Sequence, residues 1–332
     1  MEKLTKKLAE IYPLQITKYL GKVAGGYLSD NFAVGNDNKK YFLRQYRAKY
    51  TRKEIEEVHR IKNFFAENDI PIISPIRTKS GETFFEFENR FYALFPFVEE
   101  KVIEAKDLSL KSIKSIARML AKIHLLSKNG FPKLTEDRTN IFNKEKCLKL
   151  GKKLLKITEE KAERDDFDNL ALEVINFKLD LIEKNTITFD SLDLSFDHLI
   201  HGDFHEMNLF YEKNGEVKYV YDVEKATVAP RAYEIARSLD YICLTDFKDK
   251  NFKKAQEFIK SYRSVYPISD EEFKKGYLFY EMKRIHNFWI EEAHYLDDNK
   301  RTDVFYRSNF KKLKYYAKYT ETILNNILLK GD

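Results

Sequence analysis

Between positions 201 and 224 the chain reads HGDFHEMNLFYEKNGEVKYVYDVE. Three of these residues carry oxygen donors at a spacing that chemistry can use: Asp203, Asn208 and Asp222. Asn214-Gly215 lies between two apolar runs, 208–211 and 217–221. An Asn-Gly step favours a two-residue hairpin, because both residues tolerate positive φ. Folding about it pairs position 208 with position 221. Asn208 and Asp222 then stand side by side at the open end of the hairpin, with Asp203 just before it. Two oxygen ligands next to a further carboxylate suit a hard cation and a reacting hydroxyl.

Two chemistries fit that arrangement. In one, Asn208 and Asp222 hold Mg²⁺ on a nucleoside triphosphate and Asp203 accepts a hydroxyl proton, as in phosphoryl transfer. In the other, His201, Asp203 and His205 form an H-x-D-x-H cluster that binds a metal for hydrolysis, since alternate residues of an extended segment share one face. The remaining histidines (His59, His124, His198, His286 and His294) show no ligand spacing, which weighs against the second. A polar hairpin with a buried, hydrogen-bonded histidine is the plainest alternative.

HGDFHEMN followed by YDVE, and then by Pro230-Arg231-Ala232-Tyr233-Glu234-Ile235-Ala236, resembles the signature of the aminoglycoside phosphotransferase family. That family includes choline kinases and type II homoserine kinases. The resemblance implies an α+β, bilobal, protein-kinase-like fold with a small antiparallel-sheet N-lobe and a large, mostly helical C-lobe. It implies Asp203 as catalytic base and Asn208 and Asp222 as Mg²⁺ ligands. Glu224 stands near the metal, and His201 and His205 support the loop. Val223 replaces the family's usual aromatic, and Glu234 replaces the usual Asp, a position that braces the catalytic loop.

The elements that must position these residues divide near position 97, with a nucleotide-binding lobe over 1–97 and a catalytic and acceptor-binding lobe over 98–332. Short alternating segments come first and helical periods follow. The glycine-bearing run 20–34 and the apolar run 40–46, separated by the turn cluster 35–38, read as a hairpin. By resemblance it covers phosphates, with Ser29 at its tip. Arg44 occupies the strand position where protein kinases carry a phosphate-holding Lys, and its planar fork suits phosphate. A helix over 51–68 carries Ile55, Val58, Ile61, Phe64 and Phe65 at helical spacing. Glu57 falls in the slot of the acid that ion-pairs with the strand cation, with Glu54 and Glu56 as rivals.

Segments 72–76 and 83–87 read as further strands, and 91–98 resembles the hinge strand, where Phe95 and Phe97 are placed to flank an adenine or to fill the core. The helix over 108–127 carries His124 on its apolar face, read as structural. Segment 129–197 is charged and helical and lies where the family shapes its acceptor pocket. From position 269 onward two or three amphipathic helices follow. They carry the only tryptophan, Trp289, near Glu291. An aromatic beside carboxylates suits a cationic acceptor, and a core anchor is the alternative.

Composition narrows the class. The 332 residues suffice for two lobes, each with its own core. The two cysteines, Cys147 and Cys243, form no CxxC, so neither a disulfide framework nor a zinc ribbon is implied, and a reducing, cytoplasmic location is expected. The charged N-terminus lacks the apolar core of a signal peptide, and no apolar run is long enough to span a membrane. The 59 basic and 53 acidic residues are interspersed, which reads as solvated helix faces and gives no nucleic-acid patch. The expectation is an ATP- and Mg²⁺-dependent phosphotransferase acting on a small-molecule hydroxyl. A Ser/Thr protein kinase of the same fold and a regulatory pseudokinase are the alternatives. No activation segment with A-P-E follows Asp222, which favours the small acceptor. Oligomeric state is left open.

Overall fold

A computed structural model of the chain describes residues 1–23, 30–134, 143–244 and 252–328. The chain begins with α1 (Glu2–Ile11), β1 (Lys18–Lys22), β2 (Asp30–Gly35), β3 (Lys40–Gln45), α2 (Arg52–Glu67), β4 (Phe85–Phe87), β5 (Arg90–Pro96) and α3 (Leu110–Lys128). It continues with α4 (Lys144–Glu159), α5 (Asp166–Lys184), β6 (His198–Ile200), β7 (Leu209–Tyr211), β8 (Val217–Val220) and β9 (Thr227–Ala229). It ends with α6 (Arg231–Cys243), α7 (Lys253–Arg263), α8 (Asp270–His286), α9 (Trp289–Tyr295) and α10 (Tyr306–Leu328). One compact unit comprises Met1–Asp137 with His201–Thr227, and the other comprises Arg138–Ile200 with Val228–Asp332. The units interleave along the chain. Among the described residues no helix is long and apolar enough to cross a membrane.

In the first unit an antiparallel sheet of order β1-β2-β3-β5-β4 is buried on both faces along its inner strands β3 and β5. Strand residues alternate between them. Tyr41, Leu43, Tyr92 and Leu94 join Leu4, Leu8 and Tyr12 of the N-terminal segment. Phe42, Ala93 and Phe95 join Ile55 of α2. Arg44 follows the same alternation and so points to the α2 face.

The α2 helix starts where its capping residues put it. The Thr51 side chain accepts from the Glu54 N–H, and the Glu54 carboxylate accepts from the Thr51 N–H at 2.6 Å. This reciprocal box satisfies two amides that the first turn leaves open. Residues 72–76 do not form a strand. Ile72 makes only an isolated bridge with Val220, and Pro71 and Pro75 remove amide donors that a ladder needs.

The β7–β8 hairpin pairs Leu209 with Val220 and Phe210 with Tyr219, the register expected at the open end. Its tip differs. Glu212 N–H donates to the Glu216 carbonyl, which leaves a three-residue loop with Gly215 at φ +85. Asn214 accepts from the Glu216 N–H and stabilises that longer loop. An irregularity between Phe210 and Tyr211 then restores the register.

The second unit is helical. Leu154, Val174, Ile175 and Leu179 of α4 and α5 share a core with Phe288, Tyr306 and Phe310. Helices α6 and α8 cross at Gly276, where an added Cβ would lie 2.4 Å from the Ala232 backbone. That glycine sets how near the two helices come.

Candidate active site

Strand β6 delivers the chain into His201-Gly202-Asp203. Gly202 has φ +81, and a Cβ there would lie 1.9 Å from the Lys225 carbonyl oxygen. Only glycine permits this approach of the loop to the 223–225 turn. His201 is fully buried. Its Nε2 lies 2.9 Å from the Tyr221 carbonyl, and the Asp203 N–H donates to Nδ1 at 3.2 Å. These bonds select the Nε2–H tautomer and tie the start of the loop to the end of β8. With both ring nitrogens engaged by backbone, His201 is no metal ligand. Among the described residues no group of three or more His, Cys, Asp or Glu is arranged to hold a metal. The H-x-D-x-H reading loses His201 as a ligand, because both of its ring nitrogens are bonded to backbone.

Asn208 ends a single 3₁₀ turn whose start is capped by His205, with Nδ1 accepting from the Met207 N–H at 3.3 Å. The Asn208 Nδ2 donates to the Asp203 carbonyl at 2.9 Å and lies 3.1 Å from His205 Nε2. The Asn208 carbonyl accepts from the Tyr221 N–H at 2.9 Å, so positions 208 and 221 are neighbours as the hairpin requires. The amide nitrogen is thus engaged by protein, and the hard oxygen of the amide is left for a ligand. Asp222 follows directly, in the left-handed region at φ 61 and ψ 59. A residue other than glycine held there costs on the order of 1 kcal/mol, and such strain collects at functional sites. The Asp203 carboxylate is paired with Lys225 at 2.8 Å, a partner that sequence reasoning missed.

Arg44 is buried, and the structure changes its expected partner. Its guanidinium binds the Glu224 carboxylate at 2.5 Å and the Tyr221 hydroxyl at 3.0 Å, with Asp222 at 3.7 Å. Glu57 instead lies 3.6 Å from Arg60, one turn along α2. The expected Arg44–Glu57 pair is therefore not formed. The α2 position that faces the sheet beside Arg44 is Lys62, fully buried over the Phe95 ring at 4.6 Å. Burial opposes the Arg44 charge, but Tyr221, Glu224 and Asp222 outweigh it and lift the guanidinium well above its ordinary value. Burial, helped by Asp222, also lifts the Glu224 carboxyl against the pull of Arg44. A 2.5 Å contact to a guanidinium nevertheless fixes the pair as ionised, because arginine keeps its proton in proteins.

A family model described as the phosphotransferase enzyme family matches residues 20–268. The chain belongs to this family. A phosphotransferase with an alcohol acceptor is the enzyme class that goes with that membership. No curated protein matches the chain. Among solved structures, the microcompartment-associated aminopropanol kinase is similar at 13 % identity and TM-score 0.65, over 97 % of this chain and 98 % of the other. Choline kinase from Cryptosporidium parvum Iowa II is similar at 15 % identity and TM-score 0.64, over 98 % and 97 %. Spectinomycin phosphotransferase in complex with ADP and spectinomycin is similar at 15 % identity and TM-score 0.62, over 98 % and 97 %. At these identities the likeness establishes the protein-kinase-like fold.

Within this phosphotransferase fold the remaining expected residues fall out unequally. Ser29 lies outside the described residues. Phe95 is fully buried against Phe42, His59 and Tyr221, which leaves no ring face for a base. Phe97 is half-buried with Lys40 5.8 Å from its ring. His124 and Glu234 are fully buried in their helices. Trp289 and Glu291 do not form a joint cation site. Trp289 is exposed, whereas Glu291 is buried and neutralised by Lys178 at 2.7 Å and by the Tyr306 hydroxyl at 3.0 Å. Residues two apart on a helix do not share a face.

Proposed function

We propose that this chain transfers the γ-phosphoryl group of Mg²⁺-bound ATP to the hydroxyl of a small molecule of amino alcohol, homoserine, amino sugar or aminoglycoside type. The observation that carries the reading is the junction of Asp203, Asn208 and Asp222. Asn208 is bound through its amide nitrogen to the Asp203 carbonyl and through its own carbonyl to the residue before Asp222. The donor set fits a hard cation. It offers an amide oxygen and a partly exposed carboxylate, with no sulfur or free imidazole, and Mg²⁺ takes one or two protein oxygens when phosphates and waters supply the rest. Bound there, the metal would neutralise phosphate charge.

The protein's own residues then have distinct tasks. Asp203 orients the acceptor hydroxyl and takes its proton. Lys225 holds the carboxylate in one orientation. His201 fixes the loop to β8, and Arg44 is the cation for the α- and β-phosphates. Phosphoryl transfer through a loose transition state asks mainly for such positioning and charge neutralisation. The similar structures named for aminopropanol, choline and spectinomycin support an acceptor that carries both a hydroxyl and a cationic nitrogen. One observation favours a second reading, a nucleotide-binding regulator without transfer: Arg44 is already engaged by Glu224. The test is ADP release with homoserine, choline, aminopropanol, amino sugars and aminoglycosides, with and without Mg²⁺. Mg²⁺-dependent turnover of one acceptor supports transfer. ATP binding with no turnover across the panel supports the regulator.

A further inference from the structure

Lys225 ends the short turn 223–225 and reaches back to the loop that carries the base. Its Nζ donates to the Asp203 carboxylate at 2.8 Å. The backbone beneath it is fixed. Gly202 lets the loop approach so closely that an added Cβ would lie 1.9 Å from the Lys225 carbonyl oxygen and 3.1 Å from the Lys225 Cβ. The preceding residue, Glu224, is held by Arg44 at 2.5 Å. The Lys225 side chain is nevertheless 62 % exposed, against 14 % for Asp203. An ion pair to so exposed a cation adds little stability. Nor does a lysine donor help a carboxylate to take up a proton. Its place beside the base calls for another purpose.

The proposed reaction supplies one. As the acceptor oxygen bonds to the γ-phosphorus, the bond from that phosphorus to the β,γ-bridging oxygen breaks. The hydroxyl proton goes to Asp203, and the electron pair of the broken bond leaves on ADP. In a loose transition state the charge is spread over the outer oxygens of the phosphoryl group, and fixed donors aimed at them lower the barrier. Arg44 is assigned to the α- and β-phosphates, so the outer oxygens call for a different donor. A hydroxyl bonded to Asp203 attacks a phosphorus about 3–3.5 Å away. The outer oxygens then fall within the sweep of a four-carbon stem rooted beside Asp203. The ammonium carries three donors, of which the carboxylate takes one. His205, the other basic group at Asp203, lies 3.9 Å from its carboxylate and is engaged by the Met207 amide and the Asn208 side chain.

We propose that Lys225 is a catalytic residue: while bonded to Asp203 it also donates to an outer oxygen of the phosphoryl group during transfer and offsets the charge there. The inference rests on the kinase reading above. It adds a direct contact with the transferred group to the orienting task of Lys225.

The test uses ADP with Mg²⁺ and aluminium fluoride, which stands in for the phosphoryl group in flight. Dissociation constants for this mixture and for Mg²⁺-ADP alone are measured by calorimetry on the full chain. The proteins are the parent, Lys225→Met, Asp203→Asn and their double variant, with Lys225→Arg as the conservative change. Lys225→Gln serves in place of Lys225→Met if that variant does not fold. Lys225→Met should weaken the fluoride complex by about tenfold or more and leave ADP within about twofold, and Lys225→Arg should recover part of the loss. The loss should persist on the Asp203→Asn background, because the contact is to the phosphoryl group. A loss that disappears on that background would confine Lys225 to orienting the carboxylate and would overturn the contact. An equal loss for ADP alone, or no loss at all, overturns it as well. A parent that releases no ADP from Mg²⁺-ATP, with water or with any acceptor of the panel, overturns the kinase reading itself.

Discussion

Each compact unit contains a buried cluster of charges, and the two are finished differently. In the second unit Asp240 is fully matched. It accepts from the Tyr280 hydroxyl at 2.7 Å, from the Tyr316 hydroxyl at 2.5 Å and from Lys312 at 2.8 Å. Burial alone would lift its carboxyl, but Lys312, Arg284 and the Tyr316 hydroxyl hold it below the usual range. In the first unit Arg44 Nε and Lys62 Nζ are buried donors with no partner among the described residues. A buried polar group without a partner costs roughly 1–3 kcal/mol, more when charged. Native proteins keep such groups where a ligand or a changed state completes them. The Asp240 carboxylate is fully matched, whereas on the proposed function the unmatched Arg44 donor is left to meet phosphate.

The largest expected effect tests the chemistry beside the unfinished cluster. Asp203→Asn should slow turnover by about 10²–10⁴-fold while ATP binding stays within about twofold, read by steady-state kinetics and calorimetry. Retention of more than about a tenth of the parental rate with the true acceptor would remove Asp203 from that role.

The matched cluster should fail in the opposite sense. Asp240→Ala leaves Lys312 without its carboxylate and two tyrosine hydroxyls without an acceptor, so it should cost about 3–5 kcal/mol in urea unfolding. The folded fraction should bind ATP as the parent does. Lost ATP affinity with unchanged stability would erase the distinction between the clusters.

A smaller effect concerns His59, which the ligand-spacing argument set aside. Its ring contacts the Tyr46 hydroxyl and the Thr83 hydroxyl, each at 2.7 Å. Burial first, then Lys62 and Arg44, push its pKa down to about 2 from an ordinary 6.5. The unfolded chain therefore binds a proton between those values and the folded chain does not. The linked stability is present above 6.5 and is lost as pH falls towards 2. His59→Gln should lose about 3 kcal/mol less than the parent between pH 6.5 and pH 4. Identical acid limbs would mean that His59 titrates normally.

What could be read from the sequence was local. The Asn214-Gly215 step announces its hairpin because turn chemistry is contained in neighbouring residues. Even there, the Asn214 side chain bonds the Glu216 amide and lengthens the loop by one residue. Thr51 and Glu54 announce α2 for the same reason. The partner of Arg44 was hidden because it lies 180 positions away, while three helix acids stood nearer in sequence. Lys62 did leave a signal. The 3-4-3 spacing of Ile55, Val58, Lys62 and Phe65 places a lysine inside an apolar stripe, and that misfit marks the position. Phe95 looked like a candidate base contact because it stands on the hinge strand. A strand buried on both faces gives its aromatics to the core instead.

The most direct test of the unfinished cluster compares ATP with adenosine, which shares the base and ribose and lacks the phosphates. Calorimetry on the parent and on Arg44→Ala, at fixed Mg²⁺ and ionic strength, yields the ratio of the two dissociation constants. The parent should prefer Mg²⁺-ATP strongly. Arg44→Ala should weaken ATP by about tenfold to a hundredfold with adenosine unchanged, since a charge-assisted phosphate contact is worth roughly 1.5–3 kcal/mol. An equal weakening of both ligands would mean that Arg44 holds the fold together and reads no phosphate, and the account of the cluster as a phosphate receiver would be contradicted.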